Sequence, residues 1–436
     1  MAVSSRFVGA KRPPAIVVGG DANALSVARN LTARGIEVFA LNRPDSPVLR
    51  SRDCTALSCA PGAKSWRDYL LSPEAIARFE GAVLLTCSDE AISLMIDAKA
   101  DLARHYRVEI GEPMARRRLL DKLATYRTAR AAGVPFPQFW NIDGLDDLAR
   151  LAPDLIYPIV IKPTFGPPFS AAYGQKFLRA RDRTELERQL ADVFARGFSV
   201  VLMEFIPGPD ARLCSYYTYM DERGQPLLHF TKRVARRYPV NMGGATYHLT
   251  DRVPQAQELG LRLFRHAGLR GLGNVEFKLD ERDGQLKIIE CNARFTAANE
   301  LVEQSGIPLA YFVYRQLIGD PVEAPDHFRT GLRMVDPVRD ALAFRQLARR
   351  GDQSFGSWLR SLSRARVLPY LSARDPMPGL VYHQKLVGGL LRKRLRRSAR
   401  AAAETTRAGR GPGAESDDAQ PAVAAPAVNP ALRARG

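Results

Sequence analysis

The chain has 436 residues, 46% hydrophobic and 25% charged, a composition that excludes fibrous and collagen-like proteins and allows two or three domains with a substantial core. Lys and Arg outnumber Asp and Glu by 64 to 46, a net charge of +18, and residues 392–410 carry eight basic and one acidic residue, so +7 of it lies there; such a stretch attracts phosphates, nucleic acid or an anionic membrane without choosing among them. Five cysteines form no CxxC pair and no zinc spacing, no GxSxG is present, and no apolar run approaches the roughly 18 residues of a membrane span, which argues against a disulfide framework, a structural metal, serine-nucleophile chemistry and a spanning helix.

Residues 1–14, MAVSSRFVGAKRPP, lack the apolar core of a secretory signal and read as a flexible N-terminus, so the expected location is cytoplasmic, at most peripheral to the inner membrane face. From Ala15 the pattern runs strand (AIVVGG), helix (22–34) and strand (IEVFALN), one βαβ unit. Further strands are predicted at 55–59, 82–86 and 107–111, with helices at 66–79 and 90–105. Residues 15–114 are therefore expected to form a doubly wound parallel-sheet domain. Gly19 and Gly20 sit at a strand-to-helix turn, but GGDANA is not GxGxxG and reads as tight-turn glycines. Asp89 is expected to cap the helix that begins there.

A second domain is expected over 115–322. It opens with a basic amphipathic helix, 115–132, ended by Gly133 and the extended VPFPQFW. In YPIVIKP, Lys162 ends an apolar strand, where a lone ammonium is costly and an anionic partner is expected. TFGPPFSAAYGQ, 164–175, is rich in Gly, Pro and small residues and reads as a mobile loop. The strand SVVLMEF runs into IPGPD, placing Glu204 and Asp210 around a bend whose backbone groups can meet an adenine edge. A hairpin is expected from 215–220 and 226–232. Lys232, Arg233, Arg236 and Arg237 follow from its second strand, either as cations beside phosphates or as a solvated basic loop.

After a helix at 254–267 comes GNVEFKLDERDGQLKIIECNARF, Gly273 to Phe295, the most informative stretch of the chain. It reads as a β-hairpin, with strands 274–279 and 286–291 joined by Glu281, Arg282, Asp283 and Gly284. Glu290, Asn292 and Arg294 alternate, so a continued extended backbone sends them from one face of the sheet. Glu290 follows the apolar run Leu286, Ile288, Ile289, and a carboxylate at a buried strand end needs a metal or a cation. Two carboxylates, Glu276 and Glu290, with the Asn292 amide are hard oxygen ligands suited to Mg²⁺, and Arg294 is placed to grip a phosphoryl oxygen. The competing reading is an exposed hairpin whose charges are solvated.

A helix at 307–318 follows, and beyond Pro321 the pattern weakens into an extension, 323–400, with helices at 358–366 and 380–397. The second has an apolar face beside a dense Arg/Lys end. It fits either packing on the protein or peripheral membrane contact through 380–400. Residues 401–436 are an Ala/Pro/Gly/Arg tail too poor in large apolar groups to order itself.

Taken in order, Asp121–Lys122, GVPFP, YPIVIKP, VVLMEFIPGPD, GNVEFKLD and IIECNARF resemble the ATP-grasp superfamily over roughly residues 15–322, and VEFKLDERDG with NARF is most similar to the carboxylate-amine ligase branch that includes D-aspartate ligase-like enzymes. The resemblance implies an α/β and α+β architecture: a leading doubly wound parallel sheet, a two-lobed ATP-grasp domain, then a helical extension and tail. It implies that Lys122 and Lys162 contact ATP phosphates, that Glu204 with the backbone of Phe205 and Ile206 holds adenine, and that Asp210 holds the ribose. Glu276, Glu290 and Asn292 would carry Mg²⁺, with Mn²⁺ as a substitute, while Arg294 and Lys232, with Arg233 or Arg236, would steady the transferred phosphoryl group. Asn274 departs from the pattern, since several such ligases carry arginine two positions before the first metal carboxylate.

The implied activity is ligation of a small-molecule carboxylate to an amine, with amino-acid-like substrates, through an acyl phosphate with release of ADP and phosphate. Acid and amine recognition is expected in the leading domain and near Thr296, Asn299 and Glu300. The alternative is a non-catalytic ATP-binding regulatory or scaffold protein docking through its basic C-terminal helix. No specific nucleic acid is expected as a partner, because the basic tail lacks interleaved aromatics; a homo-oligomer is compatible with the sequence.

Overall fold

The computed structural model describes residues 12–59, 62–109, 111–164, 166–175 and 177–408. Two runs, AIVV and VLLT, apolar but for the closing Thr86, are buried at every position, as strands covered by helices on both faces must be. They are the centre of a five-stranded parallel sheet: β1 (Ala15–Val18), β2 (Val38–Leu41), β3 (Thr55–Leu57), β4 (Val83–Thr86) and β5 (Arg107–Val108), in the order β3-β2-β1-β4-β5. The strand order reverses between β1 and β4, so a crevice opens there at the carboxyl ends of the strands. Gly19 and Gly20 turn the chain there with φ of 68° and 82°, and a Cβ on Gly20 would meet the Cys87 carbonyl at 2.6 Å.

A four-stranded antiparallel sheet follows, β6 (Phe139–Ile142), β7 (Ile159–Pro163), β8 (Leu178–Ala180) and β9 (Val200–Glu204), in the order β6-β9-β7-β8. A larger antiparallel sheet is built from β10 (Leu213–Met220), β11 (Phe230–Tyr238), β12 (Gly244–Thr250), β13 (Gly271–Asp280), β14 (Gln285–Asn292) and β15 (Arg333–Val335), in the order β14-β13-β10-β11-β12-β15. Its last strand comes from beyond residue 322, where the sequence pattern weakens. One compact unit extends to His383, and a second begins at Gln384.

Several local expectations are corrected. The helix expected over 115–132 is two helices, Pro113–Leu120 and Lys122–Ala131, because Asp121 is extended (φ −80°, ψ 123°) and its carboxylate caps the second by accepting from Ala124 N–H. The segment expected to be a mobile loop carries a helix, Gly166–Tyr173: its prolines fall in the first turn, where no amide is missed, and the Phe169 ring packs against Tyr173 and Phe198. The basic run after Lys232 is strand, not loop, since β11 continues to Tyr238 and pairs with β12. The helix Met377–Ala408 runs into the tail as far as 408, carried by the alanines at 399 and 401–403; 409–436, like residues 1–11, lie outside the described residues. Among the described residues no helix is long and apolar enough to cross a membrane.

Candidate functional site

The hairpin forms as its sequence requires, with Glu281 to Gly284 as the turn and Gly284 at φ 71°. Its chemistry depends on one irregularity. Strict alternation would put Glu290 on the face of Leu286 and Ile288, which pack with Val275 and Phe277 in the apolar core. Phe277 instead pairs with Ile288 and Glu276 with Glu290, leaving Ile289 as a bulged residue. The bulge reverses the phase, so Glu290 leaves the core face and stands directly opposite Glu276. The Tyr126 hydroxyl braces it, donating to the Ile289 carbonyl at 3.0 Å.

The rung continues across the sheet. Glu276 pairs with Ser215, and Ser215 with Lys232, so Glu290, Glu276, Ser215 and Lys232 share one line of one face. Like charges directly opposite destabilise a sheet, and a cation on the same rung offsets that cost. Lys232 is 1% exposed and donates to Ser215 Oγ at 2.9 Å. Burial lowers its amine from the ordinary lysine value, against the pull of Glu276, Cys214 and Glu290. Burial, reinforced by Glu290 and Glu276, pushes the Cys291 thiol well up, so it is inert as a nucleophile.

On the next rung Asn292 faces Asn274 and donates to its Oδ1 at 3.2 Å, while Asn274, fully buried, donates to the Tyr216 carbonyl. Asn274 thus orients Asn292 where an arginine was the family expectation. Arg294, just past the strand, donates to Asn292 Oδ1 at 2.9 Å, to the Phe295 carbonyl at 3.2 Å and to Asp89 Oδ1 at 2.6 Å. Lys122 is the first residue of the helix that also carries Tyr126, so the brace on the bulge holds it near the hairpin. Lys122, Asp89, Glu290 and Asn292 line one cavity. Two carboxylates and an amide oxygen on adjacent rungs are a donor set that fits a magnesium ion.

The other expected nucleotide residues lie along the connection from the small sheet to the large one. Lys162 is half-buried in β7, opposite Val201. Glu204 ends β9, buried, accepting from Gln138 N–H at 3.1 Å and ion-paired with Arg282 of the hairpin turn. The Phe205 N–H donates to the Pro158 carbonyl, and the Lys278 ammonium, whose burial brings its pKa down to about 8, donates to the Ile206 and Gly208 carbonyls at 3.0 and 2.8 Å. Asp210 is buried and held by Arg237 at 2.9 Å and Asn241 N–H at 3.2 Å. Lys278 and Arg282 therefore stake this connection to the hairpin, a role the sequence reading missed. The parity of Lys278 with Glu276 was its only signal, and Ser215 had none.

Two of the expected cations are committed elsewhere: Arg233 pairs with Asp251 at 2.6 Å, and Arg236 with Asp340 at 2.8 Å. Asp89 does not cap its helix, since Ser88 accepts from Ala91 N–H at 3.1 Å and Asp89 is the first helical residue. Thr296 and Asn299 are buried; Asn299 donates to Ser26 Oγ at 3.0 Å, and Glu300 accepts from Ser26 Oγ at 2.7 Å, which ties the hairpin's end to the helix after β1.

Nearby, Glu303 accepts from Ala310 N–H at 2.7 Å, and burial pushes its carboxyl up to about 8 against the opposing effects of that N–H and Arg34. The folded pKa lies above the unfolded value, so the folded state holds a proton that the unfolded chain loses first, and stability falls as pH rises from about 4.5 to about 8. Urea midpoints of the wild type should drop across that window, and those of Glu303→Gln should drop less. Parallel pH profiles would refute the assignment.

Residues 247–324 match the family described as carbamoyl-phosphate synthase L chain, ATP binding domain. The chain is similar to D-aspartate ligase of Enterococcus faecium (strain Aus0004), 22% identical over 247 residues that are 53% of this chain and 57% of that enzyme, so it spans little more than half of that relative's length. Among solved structures it resembles N5-carboxyaminoimidazole ribonucleotide synthetase from Thermus thermophilus, with a TM-score of 0.56, 17% identity and coverage of 73% of this chain and 82% of that one. It also resembles L-amino acid ligase from Bacillus licheniformis, with a TM-score of 0.51, 19% identity and coverage of 72% and 76%. Likeness at these identities establishes a shared fold.

Proposed function

We propose that this chain, which carries the ATP-grasp fold, is an ATP-dependent ligase that joins a carboxylate to an amine and releases ADP and phosphate. The observation that carries the reading is the rung Glu290–Glu276–Ser215–Lys232 beside Asn292 and Arg294. The similarity to a D-aspartate ligase and to the fold of an L-amino acid ligase supports amino-acid-like substrates. A carboxylate oxygen attacks the γ-phosphorus, the β–γ bridging P–O bond breaks and ADP departs. The amine nitrogen then attacks the acyl carbon, the C–O bond to phosphate breaks, and the nitrogen gives up a proton. No protein nucleophile is required.

Glu276, Glu290 and Asn292 would hold Mg²⁺, or Mn²⁺ in its place, which when bound draws charge from the triphosphate oxygens. Lys232, already desolvated and fixed by Ser215, presents its ammonium without further reorganisation, which is where an electrostatic contact is most effective. Arg294 adds a planar donor set, and Lys122 and Lys162 are assigned to the phosphates. Glu204, Phe205 and Ile206 are assigned to adenine and Asp210 to the ribose, on a connection that Lys278 keeps in place. The test is a screen of acids and amines for paired-substrate-dependent ADP release with magnesium. A non-catalytic nucleotide-binding scaffold would bind MgATP and yield no ADP with any acid and amine tried.

The second unit favours an additional role at a surface. Val387 and Leu391, 45% and 55% exposed, are four residues apart on one helical stripe, and residues 392–400 carry six basic residues and no acid. An amphipathic helix of this kind binds anionic lipid at the bilayer interface. Full-length protein should sediment with phosphatidylglycerol-containing vesicles and not with pure phosphatidylcholine, and Val387→Asp/Leu391→Asp should abolish sedimentation. Light scattering reads the competing outcome: if the double substitution dissolves a dimer and leaves vesicle binding intact, the stripe serves a second copy of the chain.

A further inference from the structure

We infer that Asp89 is a positioning residue that occupies Arg294 in place of the γ-phosphoryl group and gives way when a nucleoside triphosphate binds. This rests on the proposed nucleotide site and adds a competitor built into it. The pair joins two parts of the fold, since Asp89 begins the helix after β4 and Arg294 follows β14, and their contact is 2.6 Å.

Besides its place in the first turn of its helix, the Asp89 carboxylate has Arg294 as its one side-chain partner among the described residues. Ser88 already caps the helix, and the adjacent Glu90 pairs with Arg43. Arg294 is 18% exposed, whereas Asp89 is 60% exposed. A pair with one partner so well hydrated is weakly held, because water replaces its hydrogen bonds at little cost. Asp89 also faces the cavity it shares with Lys122, Glu290 and Asn292. A phosphoryl group entering beside these residues brings negative charge next to the Asp89 carboxylate and offers Arg294 a better acceptor, since guanidinium groups bind phosphate oxygens bidentately. The remaining Arg294 contacts, to Asn292 Oδ1 and the Phe295 carbonyl, are within its own strand end and keep the guanidinium in place while the partner changes.

Competition predicts a selective effect. Removing the Asp89 charge should strengthen binding of a nucleotide that carries a γ-phosphoryl group and leave a diphosphate unaffected. Calorimetry with the full chain and magnesium should show Asp89→Asn binding the non-hydrolysable ATP analogue AMP-PNP about two- to fivefold tighter, the size an exposed ion pair commonly carries. MgADP affinity should be unchanged, Asp89→Glu should behave as wild type, and on an Arg294→Ala background Asp89→Asn should change nothing. Unfolding midpoints confirm that each variant is folded. Equal gains for both nucleotides would mean a general charge effect and overturn the inference, as would no gain at all. If the wild type binds neither nucleotide, the site itself is misassigned and the inference falls with it.

Discussion

Glu290→Ala is expected to lower magnesium-dependent ADP release by roughly 10²-fold or more, the usual cost of removing one preorganised electrostatic contact in such a site. The residue is exposed at the end of β14 and is not part of the apolar core, so its loss should leave the unfolding midpoint close to that of wild type. The same substitution should weaken the magnesium dependence of nucleotide binding, because one of the two opposed carboxylates is gone. Calorimetry over a magnesium titration reads this without any substrate pair. Wild-type turnover in the alanine variant would remove Glu290 from the magnesium site.

A large loss of stability is expected from Asp340→Ala. Asp340 has no solvent exposure and accepts from Arg236 Nε and Nη2, each at 2.8 Å, from Thr246 Oγ1 at 2.9 Å and from Trp358 Nε1 at 2.9 Å. Removing it strands a guanidinium that is itself buried, and breaking a buried pair in this way costs about 3–5 kcal/mol. The effect should appear as a lower urea midpoint. Arg236→Met/Asp340→Leu should recover part of the loss, because no ionised group is then left behind, although Trp358 and Thr246 still lose an acceptor. A deficit below about 1 kcal/mol for the single variant would show that the network does not bind the C-terminal extension to β11 and β12.

The candidate site shows how far one sequence can be read. The hairpin was legible because its cause is local: alternating apolar residues on both sides of a four-residue turn with glycine at its end. Glu276, Glu290, Asn292 and Arg294 could be named for the same reason, and so could the βαβ opening. The break at Asp121 was hidden because every residue from 115 to 132 is compatible with helix, and the cap that Asp121 offers the second helix stands inside an otherwise continuous helical pattern. The helix at Gly166–Tyr173 was hidden because composition outweighed the aromatic anchor, whose partner Phe198 lies 29 positions from Phe169.

By itself the amino-acid order determined the parallel leading sheet, the hairpin and the chemical types available for a metal and phosphate site, since strand period, turn residues and charge are short-range properties. Tertiary structure alone decided which way the carboxylates point. A single bulged residue, Ile289, reverses the phase of β14, and its position is set by core packing on one face and by the Tyr126 brace from a distant helix. The alignment of Lys232 with the two glutamates likewise arises from sheet pairing across Ser215, and the capture of Arg294 by Asp89 from the approach of the helix after β4 to the end of β14. Such long-range contacts leave no periodic trace in the chain, because the residues that make them are chosen by three-dimensional proximity and not by spacing along the backbone.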